Sequence, residues 1–152
     1  MGKLKDFKAV IVDRVKDSIA SGSLNYIIKF QVGNRKQIDI INETPAIVVT
    51  IGPGELIKND INQFSYNLNA VISAKISKLP DAEDVELDPR TNKDITEVIE
   101  DVINSVFYDC DLGTVLDVPP EIYHDTEDIE DNFIKAMITV KGKSKAFLPG
   151  SL

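Results

Sequence analysis

The sequence has few of the residues on which enzymes and metal sites usually depend. It contains one histidine, His124, one cysteine, Cys110, and no tryptophan. A single cysteine excludes an intrachain disulfide and is typical of a reducing compartment. One histidine and one cysteine do not suffice for a typical structural zinc site, and neither lies in a recognisable signature of a nucleophile and its base. We therefore expect no metal site and no catalytic pair at these positions.

Motifs for nucleotide and acyl chemistry are also missing. There is no G-x-S-x-G elbow, no P-loop and no dinucleotide-binding fingerprint, since Gly52-Pro53-Gly54 lacks the following glycine and lysine. Pro80-Asp81 resembles the start of a nuclease carboxylate set, but no acidic-x-Lys triplet follows it before the end of the second predicted helix. These gaps predict a protein that is not an enzyme and that needs no cofactor.

Long apolar runs are absent too. No stretch approaches the ~20 apolar residues that span a bilayer. Basic residues precede apolar ones near the N-terminus, but Asp6, Lys8, Asp13 and Arg14 interrupt the apolar segment that a signal peptide requires. The pattern predicts a cytosolic protein that is neither exported nor bound to a membrane.

The chain does have enough length for one core and an uneven distribution of charge. Its 152 residues fit one domain, with a core at about residues 4–140 and a flexible tail at about 141–152. Residues 1–80 carry 11 basic and 7 acidic side chains, a net of +4, whereas residues 81–152 carry 6 and 18, a net of −12. The total of −8 disfavours tight binding of nucleic acid. The acidic segments either only keep the domain solvated or give the subunit two faces of opposite sign, which suit head-to-tail contacts in a ring.

The strongest pattern is the alternation of apolar and polar residues from Gln63 to Ser77, which predicts a long, half-buried β-strand. Two segments have helical periodicity instead. The first is apolar at Leu4, Phe7, Val10, Ile11, Val15 and Ile19. The second is apolar at Ile95, Val98, Ile99, Val102, Ile103, Val106 and Phe107, and we predict Thr91 as its N-cap.

Shorter apolar segments predict further strands. Leu24 to Ile41 has the pattern of a β-hairpin, and a loop at Gly33-Asn34-Arg35 would pair Phe30 with Ile38 and Ile28 with Ile40. The almost uniformly apolar run from Thr44 to Ile51 predicts a central strand covered on both faces.

The remaining segments follow. Glu55–Asp60 is interpreted as a connection, Thr114–Val118 as a short strand, Phe133–Val140 as the last strand, and Lys141–Lys145 as part of a frayed or partner-bound tail. The predicted order α-β-β-β-β-α-β-β places two amphipathic helices on one mostly antiparallel sheet, which is an α+β fold.

Two acidic segments are the candidate functional sites. The first is a long loop from Lys78 to Lys93, and the second is a connection from Glu121 to Asp131. The carboxylates that we place on a partner or on the lumen of a ring are Asp81, Glu83, Asp84, Glu86, Asp88, Asp125, Glu127 and Asp128. Calcium binding by the first loop is a weaker alternative, because the loop lacks the glycine and the final glutamate of an EF-hand.

The element order, together with the strand entered through proline at Thr44-Pro45-Ala46-Ile47-Val48-Val49, resembles the tail terminator proteins of long-tailed bacteriophages and the wider group of head-tail joining and tail completion proteins. The resemblance covers roughly Leu4 to Val140 and includes no catalytic motif. It implies a structural protein of the virion, assembled in the host cytoplasm.

A protein of this kind forms a ring, typically a hexamer, at the head-proximal end of the tail. Its implied partners are further copies of itself, the tail tube protein and the head completion or connector protein at the neck. DNA would pass through the channel without tight binding, since a negative lumen repels phosphate. Two alternatives remain open: a different phage neck, tail or contractile-machine component of similar fold, and a monomeric cation-binding domain.

Overall fold

The computed structural model describes residues 3–34, 36–58, 63–78, 87–88, 91–129 and 132–147. These contain α1 (Lys3–Ser21), β1 (Lys29–Val32), α2 (Gln37–Ile40), β2 (Ala46–Ile51), β3 (Glu55–Lys58), β4 (Gln63–Ser77), β5 (Leu87–Asp88), β6 (Lys93–Asp94), α3 (Ile95–Val106), β7 (Glu121–Ile129) and β8 (Phe133–Phe147). Helices and a mostly antiparallel open sheet confirm the predicted α+β class. None of the described helices combines the length and hydropathy needed to cross a bilayer.

The long alternating strand is the centre of the sheet, as predicted. β4 pairs antiparallel with β8 over all 15 of its residues, and β2 and β3 pair in succession with its other edge. The main strand order is β1-β2-β4-β8-β7, in which only β1 and β2 are parallel. The sheet is therefore open, with β7 at one edge and β1 and β3 along the other, since β3 pairs with β4 alone among the described strands.

The helices α1 and α3 cover one face of this sheet. On β4 the residues that are 0% exposed beneath them are Leu68, Ala70, Ile72, Ala74 and Ile76. The helices add Phe7, Ile11 and Val15 from α1 and Val98, Val102 and Val106 from α3 to the same cluster. Burial of this shared face confirms both predicted amphipathic helices and supplies the main apolar stabilisation of the fold.

β2 is covered on both faces, as its uniform apolar sequence predicted. Ile47 and Val49 belong to the core beneath the helices. Ala46 and Val48 face the other way and form a small second cluster with Ile38 and Ile41. The segment around α2 therefore covers part of the second face of the sheet.

The predicted hairpin between Leu24 and Ile41 is wrong. β1 pairs in parallel with β2, so that Phe30 lies opposite Ile47, and residues 37–40 form the short helix α2. Ile38 is 0% exposed in the second cluster and is not available as a cross-strand partner of Phe30. Phe30 and Ile38 are both apolar and both pack inside the protein, as the hairpin prediction required. Each of them packs against β2, however, and not against the other.

The connection after Gly52-Pro53-Gly54 and the cap of the second predicted helix also differ from prediction. Glu55–Lys58 is the strand β3, which follows β2 along the same edge of β4. The N-cap of α3 is Asp94, not Thr91, since the Asp94 carboxylate accepts the backbone N–H of Glu97 at 2.9 Å. Thr91 and Asn92 form a turn before β6, and the chain is extended at Lys93 and Asp94.

Three assignments near the C-terminus are corrected as well. Thr114–Val118 is not a strand, because Leu112, Gly113 and Thr114 all have positive φ, which belongs to a turn. Most of the predicted acidic connection from residue 121 to residue 131 is the edge strand β7. β8 does not end at Val140 but continues to Phe147, so residues 141–147 are paired with β4 where a flexible tail was predicted.

Candidate functional site

The structure divides the eight candidate carboxylates into three groups. Asp81, Glu83, Asp84 and Glu86 lie outside the described residues. Asp88 lies in β5 and is 0% exposed, so this carboxylate is part of the interior and not of a partner-facing surface.

Asp125, Glu127 and Asp128 form the third group and lie on the exposed strand β7. Glu127 is 3.6 Å from Lys135 and Asp128 is 3.1 Å from Lys78, while the Asp125 carboxylate accepts the backbone N–H of Thr126 at 2.8 Å. Because β7 pairs with β8 alone among the described strands, these carboxylates mark one free edge of the sheet.

The edge formed by β7 is unusually exposed for a strand of nine residues. Only Ile122 and Ile129 are half-buried, and the other residues of the strand are exposed. The Thr126 N–H that binds the Asp125 carboxylate points away from β8, so the backbone on this side is not used within the sheet. Exposed strand edges of this kind are templates for pairing with another strand, and charged side chains are a common means of restricting which strand can pair.

The opposite edge, formed by β1, has a different chemistry. It is only four residues long, and two of the exposed large apolar side chains of the described chain lie on it or just before it: Ile28 is 59% and Val32 39% exposed. Lys29 on the strand and Lys36 just after it add positive charge. The two edges of the sheet are therefore acidic on β7 and apolar with positive charge on β1.

A groove of about 440 Å³ lies on the face of the sheet away from the helices. It is lined by Glu55, Asn67, Asn69, Val118, Pro119, Glu121, Lys141, Gly142 and Lys143. The lining contains carboxylates, amides and amines but neither histidine nor cysteine. It can therefore hold a polar chain segment through hydrogen bonds.

The connection between α1 and the end of α3 is the best-defined polar contact of the fold. Arg14 donates to both carboxylate oxygens of Asp109, at 2.8 and 2.9 Å, and to the carbonyl of Val106 at 2.7 Å. The hydrogen bond from Arg14 lowers the pKa of Asp109 to about 2, and the same contact raises the pKa of Arg14. Arg14 also stacks on Tyr108, 4.2 Å from the ring centre. Both charges are occupied by each other, so this contact holds the helix layer in place and is not a binding site.

Two tyrosines have raised pKa values for different reasons. Burial is the larger cause at Tyr26, and its hydrogen bond to Asp101 at 2.9 Å adds to it. At Tyr123, which lies on β7, the hydrogen bond to Glu121 is the larger cause. Both side chains remain neutral phenols, which donate one hydrogen bond and offer an aromatic surface.

Metal-ligating residue types do not cluster in the part of the chain that the structure describes. Within that part no group of three or more histidine, cysteine, aspartate and glutamate residues is arranged to hold a metal ion. Cys110 is exposed in the turn after α3, whereas His124 is exposed on β7. The first acidic loop, where calcium binding was considered, lies largely outside the residues that the structure describes.

Sequence reasoning missed the exposed residues of the β1 edge. It also did not predict that β7 is a strand. Four residues of β7 are of types that favour a strand: Ile122, Tyr123, Thr126 and Ile129. The carboxylates between them gave the segment the composition of a loop, so it was not predicted as a strand. The comparisons with known proteins add nothing to the assignment, because no protein-family model and no curated protein matches this chain.

Proposed function

We propose that this protein is a structural virion protein, a tail terminator that forms a ring on the end of a phage tail tube and joins it to the head connector. It acts by assembly and not by catalysis. The observation that carries the proposal is the open sheet with two exposed edges of different chemistry. The resemblance in element order supports the same assignment outside the predicted hairpin, which the structure replaces with β1 and α2.

Two different edges are what a ring requires. Head-to-tail contacts join two unlike surfaces on each subunit, and they close into a ring when the rotation between subunits permits it. The acidic edge on β7 and the apolar, positively charged edge on β1 are such a pair of unlike surfaces. Closure would pair the free edges of β7 and β1, and the covering of strand edges is one way in which proteins avoid uncontrolled association.

The carboxylates of β7 suit a position on the channel or the tail tube. Asp125 and Glu127 are exposed on the face of β7 away from the helices, whereas Asp128, opposite Ile134, lies on the other face. A negative surface formed by Asp125 and Glu127 would repel the phosphates of DNA, so that the genome passes without being held. The test is a double variant, D125N and E127Q, introduced into the phage, with D128N as the control on the other face. We expect reduced assembly or infectivity, and a wild-type titre would contradict this placement.

Deletion of the gene from the phage or prophage that encodes it tests the function itself. Electron microscopy of the lysate should show filled heads that are separate from tails, and tails longer than those of the wild type, because nothing stops the tube from growing. Complementation by the wild-type gene should restore joined virions of normal tail length. Normal virions without complementation would refute the proposal.

The same images separate the main alternative. Unjoined tails of normal length would assign the protein to another part of the neck, since termination would then be intact. Light scattering of the purified protein gives the second readout, for which we expect a mass near six times the 16.8 kDa subunit. A monomer whose melting temperature rises with added calcium would instead support a cation-binding domain.

A further inference from the structure

We propose that β7 of one copy pairs antiparallel with β1 of the next copy, so that a single sheet continues across each subunit boundary. The inference rests on the self-assembly in the proposed function and names the strands that make the contact. It is argued from backbone direction, from the groups each edge presents and from charge.

The free backbone groups on the two edges can be assigned. Thr126 donates its N–H to the Asp125 carboxylate, so on β7 the even-numbered residues direct their backbone groups away from β8. Gly33 donates its N–H to the carbonyl of Val49, so on β1 the alternate residues Phe30 and Val32 direct theirs away from β2. Each edge therefore directs a row of backbone groups away from the sheet, and on β7 the Asp125 carboxylate occupies one of these donors, the Thr126 N–H.

These free residues lie on the same face of the sheet. Phe30 and Val32 are opposite Ile47 and Val49, which belong to the core beneath the helices. Thr126 is opposite Ala136, which belongs to the same core. Residues that bond directly across an antiparallel pair have side chains on one face. The two edges can therefore join with the helices of both copies on the same side.

Strand direction selects the antiparallel arrangement. β1 is parallel to β2, and each following step from β2 to β4, β8 and β7 is antiparallel, so β7 runs opposite to β1. A rotation about an axis along the strands leaves their directions unchanged. In such a ring the β7 strand of one copy meets the β1 strand of its neighbour in antiparallel orientation.

Charge favours this pairing over the pairing of two β7 strands. Lys29 lies opposite Ala46, on the face away from the helices, and the same face of β7 carries Glu121, Asp125 and Glu127. Pairing two β7 strands would bring these carboxylates together, which is unfavourable, whereas pairing β7 with β1 puts Lys29 on the same face as the carboxylates. The exposed Val32 and Tyr123 add apolar surface that the contact would bury.

The experiment removes a backbone donor from each edge without changing the folded sheet. T126P and V32P each replace an outward N–H, whereas the matched controls T126A and V32A keep it. Proline is accommodated on edge strands where the N–H faces away from the partner. Sedimentation velocity reports the assembly, and circular dichroism and thermal melting confirm that each variant is folded.

We expect the proline variants to weaken association by ~10-fold or more, while the alanine controls remain close to wild type.

A second test reverses charge: K29E or D125K alone should weaken association, and the combination should restore part of it. Proline variants with wild-type mass would overturn the proposal, and so would an equal loss in T126P and T126A. A wild-type chain that is monomeric up to about 1 mM would also overturn it. A ring that persists in T126P would refute the strand contact alone, whereas the deletion phenotype tests the function independently.

Discussion

At the scale of single residues, two cations connect elements that are far apart in the sequence. Arg14 joins α1 to the end of α3 through Val106 and Asp109. Lys75 lies on β4, is 1% exposed, and donates to the carbonyls of Ile41 at 2.6 Å and Asp39 at 3.2 Å. Each cation satisfies carbonyl groups that the secondary structure leaves free, and this gives each contact a measurable effect on stability.

We expect R14Q to lower the free energy of unfolding by about 1 kcal/mol at neutral pH, because the Asp109 side chain is 34% exposed and solvent screens the pair. The pKa of Asp109 is lowered in the folded state from 3.8 to about 2. The stability from this contact is therefore fully present above the ordinary value and is lost as the pH falls through about 2. Urea denaturation across this range should show the two proteins converging. The control is K16Q, which removes an exposed charge from the same helix and should have little effect.

Replacing Lys75 with methionine should destabilise the protein by about 1–3 kcal/mol, because the two carbonyls would lose a buried donor while side-chain volume is nearly preserved. Hydrogen exchange should also increase at Ile38 and Ile41, whose segment Lys75 holds against the sheet. K143M, on an exposed position of the same face, is the matched control. Equal stability of K75M and K143M would contradict this role for Lys75.

At the scale of elements, α3 shows how a helix can be clear in sequence while its start is not. The apolar stripe was predicted from Ile95 to Phe107, and the helix ends one residue earlier, at Val106, with Phe107 as its C-cap. Thr91 and Asp94 are both good capping residues, but only Asp94 has the extended backbone and the hydrogen bond of an N-cap. The β5–β6 pairing holds the chain extended up to Asp94, and this decides where the helix begins.

The corrected cap gives a direct prediction. We expect D94A to cost about 1 kcal/mol in chemical denaturation, because the N–H of Glu97 loses its acceptor. D94N keeps an acceptor and should cost much less. T91A serves as the comparison, since an N-cap at Thr91, as predicted from the sequence, would make T91A more destabilising than D94A. A loss in T91A that exceeds the loss in D94A would restore Thr91 as the cap.

At the scale of the whole molecule, the antiparallel ladder between β4 and β8 organises everything else. It is 15 residue pairs long and lies between β2 and β3 on one side and β7 on the other. The core residues beneath both helices come largely from these two strands. The part of β8 after Lys141 is therefore a structural element and not a dispensable tail.

Two truncated chains test this conclusion. A chain that ends at Lys141 removes the partners of β4 residues 63–68, including that of the buried Leu68, whereas a chain that ends at Phe147 keeps them. We expect the shorter chain to melt at a temperature lower than the longer one by on the order of 10 °C, or to fail to fold cooperatively. Differential scanning calorimetry gives the comparison. Equal melting temperatures would show that residues 142–147 do not contribute to the fold.

Sequence patterns were sufficient to predict the fold class, the two amphipathic helices, β4 and the coverage of β2 on both faces. Each of these is a periodic pattern in which the burial of one residue predicts the next, so local information is sufficient.

Tertiary structure alone decided which segments pair. By pattern alone, residues 24–41 could form a hairpin. In the folded protein β1 pairs with β2, and the carbonyl of Ile41 accepts a hydrogen bond from Lys75. β7 has the charge of a loop and is a strand because β8 supplies its hydrogen bonds. The two unlike edges, on which the proposed ring depends, exist only once the strand order is known, because an edge is a property of the assembled sheet and not of any one segment.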